Sequence, residues 1–326
     1  MSFLSNLFKK YTGPIRSFKL VYVINNLLNG RKLRHNRELY RAHGLGQSIY
    51  APIGRKDFKE TGELPWLDRA DALPQLRSHP QFKEFSTPER EQLENFVENG
   101  FMVFKGFYSP QEVATLSEEI DRLRREGSAD FNYTGRKLMD IHRHSDLIDR
   151  AYFKNERLLR LLNFAMGRRV IPFQTISFIE GSEQRAHSDS IHMMTQPEGY
   201  LIAAWTALEA TSLDNGALFY YPKSHRLPIL TTRDYDSGNT RYRLGKQSYR
   251  QYEERVQQLI EEQQLERKLF FAEPGDVFVW HANLLHGGSP IGRPGSSRRS
   301  MVAHYFCEGV ICYHEISQRP ALLELD

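Results

Sequence analysis

The amino-acid sequence predicts a mainly β protein with flanking helices, an α+β chain built around an antiparallel sandwich or barrel of the jelly-roll kind. The 326 residues are 40% hydrophobic and 12% aromatic, which is enough for a large core. Short β-type runs follow one another after residue 170, and turn-forming segments such as 273–276 (EPGD) separate them. Because helices do not alternate with these runs, an antiparallel arrangement is favoured over a parallel sheet.

The regular elements can be predicted in chain order. Ser86 and Thr87 before a proline mark a helix start, and Gly100 marks its end. The next predicted elements are a strand over 101–107, an amphipathic helix over 109–127 and a helix over 153–167. The later β-type runs are residues 171–179, 200–208, 216–222, 270–280 and 300–306, with one helix among them at 249–266.

We divide the chain into two parts. Residues 1–85 form a basic helical N-terminal extension followed by an irregular connector rich in Gly, Pro and charge, and residues 86–326 form one catalytic domain with a helical insertion at about 226–268. Residues 1–44 contain nine Lys or Arg and one acid, Glu38, so they carry a charge of +8, and the rest of the chain carries −4 to give the net +4. This segment either lies on an anionic membrane surface or packs on its own catalytic domain with a solvated basic face.

Compartment and partners follow from composition. Cys307 and Cys312 are the two cysteines of the sequence, too few for a disulfide framework or a zinc knuckle, so the cytoplasm is the simplest location. The first 30 residues have neither a signal-peptide pattern nor the roughly 20 apolar residues of a membrane span. We expect a small-molecule or amphiphilic partner, a possible peripheral membrane contact through residues 1–44 and no nucleic acid.

The segment 185–190 (RAHSDS) supplies the first candidates for chemistry. His187 and Asp189 stand two residues apart, so in an extended segment both side chains point to the same face. A neutral imidazole and a carboxylate suit ferrous iron. Such a pair also arises by chance, and a polar turn is the alternative until a third ligand is found.

His286, in the segment 280–290 (WHANLLHGGSP), is the candidate third ligand. Two histidines and one carboxylate on one face of an octahedron form the facial triad of non-haem iron(II) oxygenases, which leaves three positions for a 2-oxo acid and dioxygen. Zinc also takes two histidines and a carboxylate, so a hydrolase is the competing interpretation. The sequence lacks the local H-E-x-x-H that would favour it.

A buried co-substrate carboxylate would need a cationic partner. Arg298 lies twelve residues after His286, at the start of the next predicted strand, and Ser300 at the following inward position adds a hydroxyl. Arg299 falls on the other face of that strand. Without the histidines, Arg298 would be interpreted as a surface arginine.

The segments 200–226, 274–290 (PGDVFVWHANLLHGGSP) and 298–306 (RRSMVAHYF) resemble the phytanoyl-CoA dioxygenase family of iron(II)/2-oxoglutarate oxygenases. Residues 96–123 are similar to that family's opening helix, strand and helix, so the resemblance covers about 90–315. It implies a double-stranded β-helix (jelly-roll, cupin-like) fold, Fe(II) as cofactor, and 2-oxoglutarate and dioxygen as co-substrates. It also implies residue roles: iron ligands His187, Asp189 and His286, and Arg298 on the distal carboxylate of 2-oxoglutarate.

Three further residues are weaker candidates for the co-substrate pocket. Trp205 stands where the family has a pocket-lining tryptophan, although core packing is an equal alternative. Lys137 resembles a lysine that reaches the family's active site. Gln174 faces inward if residues 171–179 form a strand. His192 is a possible substrate contact, whereas we expect His225, His281 and His304 to be structural.

The function that the resemblance implies is hydroxylation of an unactivated C–H bond in a small-molecule or lipid-like substrate, with release of succinate and carbon dioxide. Asp189 disfavours halogenation, because a halogenase has a small residue at that position to admit chloride. The alternative is a non-catalytic or hydrolytic metal-binding β-barrel protein of the same fold. The basic extension and the arginines of the insertion favour an amphiphilic or anionic substrate.

Overall fold

A computed structural model describes residues 17–59, 62–128 and 137–323. A six-stranded antiparallel sheet forms its centre, in the strand order β1-β8-β5-β10-β3-β2. Two three-stranded sheets, β7-β6-β9 and β12-β11-β4, complete the β architecture of the described residues. The strands are β1 Phe101–Phe104, β2 Lys137–Met139, β3 Val170–Phe178, β4 Met194–Gln196, β5 Leu201–Ala207, β6 Leu218–Tyr220, β7 Lys268–Phe270, β8 Val277–His281, β9 His286–Gly288, β10 Ser300–Cys307, β11 Ile311–His314 and β12 Arg319–Pro320.

The large sheet has two differently covered faces. Trp205 of β5 and Val302 of β10 are cross-strand partners, and they pack with Leu218 of the β7-β6-β9 sheet. Met301 and Ala303, which alternate with Val302 along β10, belong instead to the cluster that includes the helices. The molecule therefore has a β-sandwich core with helices on its outer face. The helices of the described residues are α1 Lys19–Leu28, α2 Asn36–Ala42, α3 Ala72–Ser78, α4 Thr87–Asn99, α5 Pro110–Arg125, α6 Asp146–Tyr152, α7 Glu156–Met166 and α8 Ser248–Glu262. Those that contribute to the cluster on the outer face are α3 to α7.

Two of the helices begin with capping boxes whose residues are recognisable in the sequence. Ser86 and Glu89 cap α4 reciprocally, and Ser109 and Glu112 do the same for α5. Each such N-cap contributes about 1 kcal/mol. The α4 helix ends at Gly100, whose φ of 85° is left-handed and suits glycine. These local signals explain why the predicted bounds of both helices agree closely with the structure.

The N-terminal extension packs against the end of the β-sandwich. Leu33 and Ile53 share a core cluster with Ile311 and Tyr313 of β11. The backbone N–H of Leu323 donates to the Lys32 carbonyl at 3.1 Å, so the two ends of the described chain are joined. None of the described helices combines the length and apolar character needed to cross a membrane.

The connector at residues 45–85 is less irregular than predicted. It contains α3 and short 3-10 turns, and Leu76 on α3 is buried in the main core. The helix of the predicted insertion is α8, which packs through Tyr252 and Val256 over the β7-β6-β9 side. The α8 helix was predicted, whereas α3, with seven residues, is too short to show a period in the sequence.

Candidate metal centre

His187 and His286 are brought together by a backbone bridge. Their main chains exchange hydrogen bonds of 3.0 Å and 2.9 Å, which places the two imidazoles side by side with centroids 4.6 Å apart. The Nδ1 of His187 lies 2.9 Å from the carbonyl of Arg185, and the Nδ1 of His286 lies 3.0 Å from that of Leu284. Since a carbonyl only accepts, each Nδ1 is the protonated nitrogen, and both Nε2 atoms are available for a metal.

Asp189 completes the group from a 3-10 turn, Asp189–Ile191, and not from a strand. Ser188 before it is extended, so Asp189 still lies on the same side as His187. One ligand atom from each of the three side chains lies within 4.8 Å of the others, and all three residues are buried. The Ser188 side chain is used elsewhere, because its hydroxyl and backbone N–H contact the Tyr252 hydroxyl. The described residues thus contain a compact His-Asp-His cluster that could hold a metal ion.

Two neighbouring side chains orient Asp189, and sequence reasoning missed both. Trp280 Nε1 donates to Asp189 Oδ2 at 2.7 Å, and His304 Nε2 lies 3.4 Å from the same oxygen. The other oxygen, Oδ1, lies 3.8 Å from His286 Nε2. One carboxylate oxygen is therefore held by the protein and the other faces the histidines. His304 was expected to be structural; its inward register with Val302 was the available signal of a site role.

Burial sets the charge state of the cluster. Desolvation lowers the pKa of His187 and that of His286, so both imidazoles are neutral. Burial alone would raise the pKa of Asp189, but His286 and His304 hold it below its usual value, so the carboxyl group is ionised. Two neutral imidazoles and one carboxylate are in the protonation states that metal ligation requires.

Arg298 is a buried cation two residues before β10. It is 2% exposed, its Nη1 donates to the Gly216 carbonyl at 2.7 Å, and its Nε has no partner among the described residues. Among the described residues, no carboxylate lies within ion-pair distance of the Arg298 guanidinium. Burial lowers the pKa of Arg298 to about 10. The hydroxyl of Ser300, the fully buried first residue of β10, likewise lacks a described partner. This pair is suited to an anionic ligand.

A cavity of about 690 Å³ connects the cluster with Arg298. Trp205, Gln174 and Lys137 all line it, whereas Ser300 does not, although Val302 and His304 of the same strand face do. Lys137 Nζ donates to Gln184 Oε1 at 3.2 Å, and burial lowers the pKa of this lysine. The structure therefore brings most of the predicted pocket residues to one space.

Gln184 is another cavity residue that the sequence did not single out. Its Nε2 lies 3.0 Å from His187 Nε2, the atom that would bind a metal, and 3.0 Å from the Tyr249 hydroxyl. A metal on His187 would take over that contact, and the Gln184 amide would keep its bond to Tyr249. No motif in the sequence distinguishes this residue.

The opposite end of the cavity is built by the chain's two end segments. Asn25, Asn26 and Lys32 line it from the N-terminal extension. From the C-terminal side it is lined by residues 312–314 and 319–322. His192 also lines the cavity, with its ring 5.4 Å from that of His314. The cavity wall therefore joins the predicted N-terminal extension to the predicted catalytic domain.

The sequence profile of the family described as phytanoyl-CoA dioxygenase (PhyH) matches residues 96–300. The chain belongs to this family. One relative is the peroxisomal phytanoyl-CoA dioxygenase of Rattus norvegicus, 24% identical over 243 residues that cover 66% of this chain and 67% of that protein. A second is the probable alpha-ketoglutarate-dependent hypophosphite dioxygenase of Stutzerimonas stutzeri, 22% identical over 61% of this chain and 72% of its own length. The predicted family is therefore confirmed.

Solved structures confirm the predicted double-stranded β-helix fold. The epimerase SnoN, crystallised with Fe³⁺, alpha-ketoglutarate and a nogalamycin compound, superposes with a TM-score of 0.54 at 19% identity, over 68% of this chain and 85% of its own. EctD from S. alaskensis, crystallised with 2-oxoglutarate and 5-hydroxyectoine, gives a TM-score of 0.53 at 20% identity, over 68% of this chain and 76% of its own. At these identities the likeness establishes the fold alone.

Proposed function

We propose that this protein is an Fe(II)- and 2-oxoglutarate-dependent dioxygenase that hydroxylates an unactivated C–H bond of a small-molecule or lipid-like substrate. The observation that carries the proposal is the presence, in one cavity, of a buried His-Asp-His cluster and a buried arginine with no described acidic partner. A structural metal site would not need the arginine. A structural arginine would be expected to have a carboxylate beside it.

The three ligands fit ferrous iron. His187 and His286 would bind through Nε2 and Asp189 through Oδ1, since Oδ2 is held by Trp280. Two imidazoles and one carboxylate are the donor set of non-haem iron(II) oxygenases, and these three side chains would hold the ion. Bound iron would supply the oxidation of a C–H bond by dioxygen, coupled to decarboxylation of 2-oxoglutarate to succinate and carbon dioxide.

Arg298 is the residue we assign to 2-oxoglutarate. Its guanidinium would form a charge-assisted pair with the distal carboxylate, and its partnerless Nε is an available donor. The predicted contribution of Ser300 would need its hydroxyl to reach the cavity, which it does not line. Trp205, on the strand β5 that pairs with β10, and Gln174 line the same cavity. Their side chains would limit the space available to the co-substrate. Lys137, held by Gln184, would place a positive charge near Asp189.

The same geometry supports hydroxylation over halogenation and over zinc-dependent hydrolysis. Asp189 fills the position that a halide would need, which argues against halogenation. A zinc hydrolase would need a general base beside the metal. Apart from Asp189, the carboxylate that lines the described cavity is Asp140, which lies 4.0 Å from Arg143. The volume of about 690 Å³ is in the range of small-molecule sites.

The proposal is tested by succinate release. The purified protein, loaded anaerobically with Fe(II), is given 2-oxoglutarate, dioxygen and candidate compounds from several metabolite classes, including amphiphiles. We expect succinate in stoichiometric yield with a product heavier by one oxygen atom in mass spectrometry. Substrate-dependent succinate without that mass gain would contradict hydroxylation, and iron binding without any succinate would contradict the reaction class.

A further inference from the structure

The helix α1 buries polar side chains and exposes apolar ones, which is the reverse of an ordinary surface helix. Its buried residues are Lys19 and Asn26, which are 4% and 1% exposed. Lys19 Nζ donates to Gln318 Oε1 at 2.6 Å, and Asn26 Nδ2 donates to the Tyr50 carbonyl at 3.0 Å. The polar side of this helix therefore faces the protein, where its hydrogen bonds are satisfied.

The outward side of α1 is apolar. Leu20, Ile24, Leu27 and Leu28 are 67%, 50%, 56% and 82% exposed, and their spacing places them on one helical face. Single exposed apolar side chains are common, but three leucines and one isoleucine within ten residues form a contiguous patch, which marks an interaction surface. Phe18, 40% exposed, extends this patch at the helix start.

The surroundings of the patch are cationic. Exposed arginines flank it: Arg31 follows the helix, and Arg241 and Arg243 lie in the loop whose backbone pairs with Phe18. Residues 17–59 contain nine Lys or Arg against two acids, Glu38 and Asp57, and residues 1–16 contain three Lys or Arg and no acid. An apolar helix face bordered by arginines matches an anionic lipid surface in both its apolar interior and its charge.

We propose that α1 docks on an anionic membrane surface through the face formed by Leu20, Ile24, Leu27 and Leu28. Asn25, on the same helix, lines the cavity, and Lys32 lines it just beyond the helix. Docking would therefore bring the far end of the cavity to the lipid headgroups. An amphiphile could then enter directly from the membrane; this consequence rests on the proposed function, whereas docking does not.

Vesicle sedimentation of the full chain tests docking without any turnover. Vesicles of phosphatidylcholine alone are compared with an equal mixture of phosphatidylcholine and phosphatidylglycerol. We expect binding to the mixed vesicles that weakens at high salt, and little binding to the neutral ones. The double variant Leu20→Glu/Leu28→Glu should lower the partition coefficient about tenfold or more, because it places two acids on the apolar face.

The control is Leu213→Glu/Phe271→Glu, which adds two acids at side chains that are 62% and 53% exposed in connections between strands. It should bind as the wild type does. Equal loss in both variants, equal binding to neutral vesicles, or no binding by the wild type would overturn the proposal. So would a wild-type dimer, measured by light scattering, that Leu20→Glu/Leu28→Glu dissociates, since the occupant of the face would then be a second copy. Thermal unfolding of each variant verifies folding.

Discussion

The two ends of the cavity differ in where their residues stand in the chain. The iron-ligand end is built from His187, Asp189, His286 and Arg298, all within the family-matched residues 96–300. The far end is built from Asn25, Asn26, Lys32 and residues 312–314 and 319–322, all outside that match. This division suggests that the shared segment carries the reaction class and that the chain's ends carry its substrate preference.

The largest expected effect is at the ligand end. Asp189→Ala removes the anionic iron ligand and should reduce succinate production about 100-fold or more. This loss exceeds the range seen when a residue that hydrogen-bonds to a metal ligand is removed. Ser188→Ala is the matched control, because its side chain lies between the two ligands in sequence but contacts Tyr252. Comparable losses in both variants would mean that the segment 187–189 acts through folding.

Arg298→Gln should act on the co-substrate. Loss of the buried cation would raise the KM for 2-oxoglutarate about 10- to 100-fold, the range of a lost charge-assisted hydrogen bond. Arg299→Gln is its neighbour on the opposite face, where the guanidinium pairs with Asp121 at 2.9 Å. That variant should leave the KM unchanged. A normal KM in Arg298→Gln would show that 2-oxoglutarate binds elsewhere.

Trp280→Phe should have a smaller effect, and that effect should be on iron affinity. It removes the 2.7 Å hydrogen bond to Asp189 Oδ2 while keeping an aromatic ring. We expect iron affinity, measured by anaerobic titration, to fall about tenfold. Trp66→Phe removes an indole bond to the Phe164 carbonyl far from the ligands in sequence and serves as control. Unchanged iron affinity in Trp280→Phe would remove this residue from the metal centre.

Much of the ligand end could be predicted from sequence because its information is local. His187 and Asp189 are two residues apart, and the His286 and Arg298 segments carry the family pattern. The roles of Trp280 and His304 could not be predicted, since they depend on the strand register that brings β8 and β10 to Asp189. Helices α4 and α5 were predictable from their capping boxes.

The far end could not be predicted for a physical reason. Ordinary burial rules assign leucines inward and Lys or Asn outward, and α1 does the reverse. The short strands β11 and β12 also offer few residues to a pattern. Of the two interpretations of the basic extension, packing on the β-sandwich is observed for residues such as Leu33, and membrane contact stays a proposal.

The smallest expected effect sharpens the contrast between the ends. Lys32→Gln at the far end should change the affinity for 2-oxoglutarate by less than about twofold, because Arg298, and not Lys32, is the cation assigned to the co-substrate carboxylate. Uncoupled succinate formation without substrate should also be unchanged. Once a substrate is found, its KM should rise. A raised KM for 2-oxoglutarate in this variant would break the division between the two ends.

The most direct test of the central claim is anaerobic visible spectroscopy of the protein with Fe(II) and 2-oxoglutarate. If the His-Asp-His cluster and Arg298 form one site, a weak metal-to-ligand absorption band should develop in the green region of the spectrum. The band should require both Fe(II) and 2-oxoglutarate. The band should be absent in His187→Ala, and in Arg298→Gln it should require a higher concentration of 2-oxoglutarate. Iron bound to the wild-type cluster with no band at saturating 2-oxoglutarate would contradict the account.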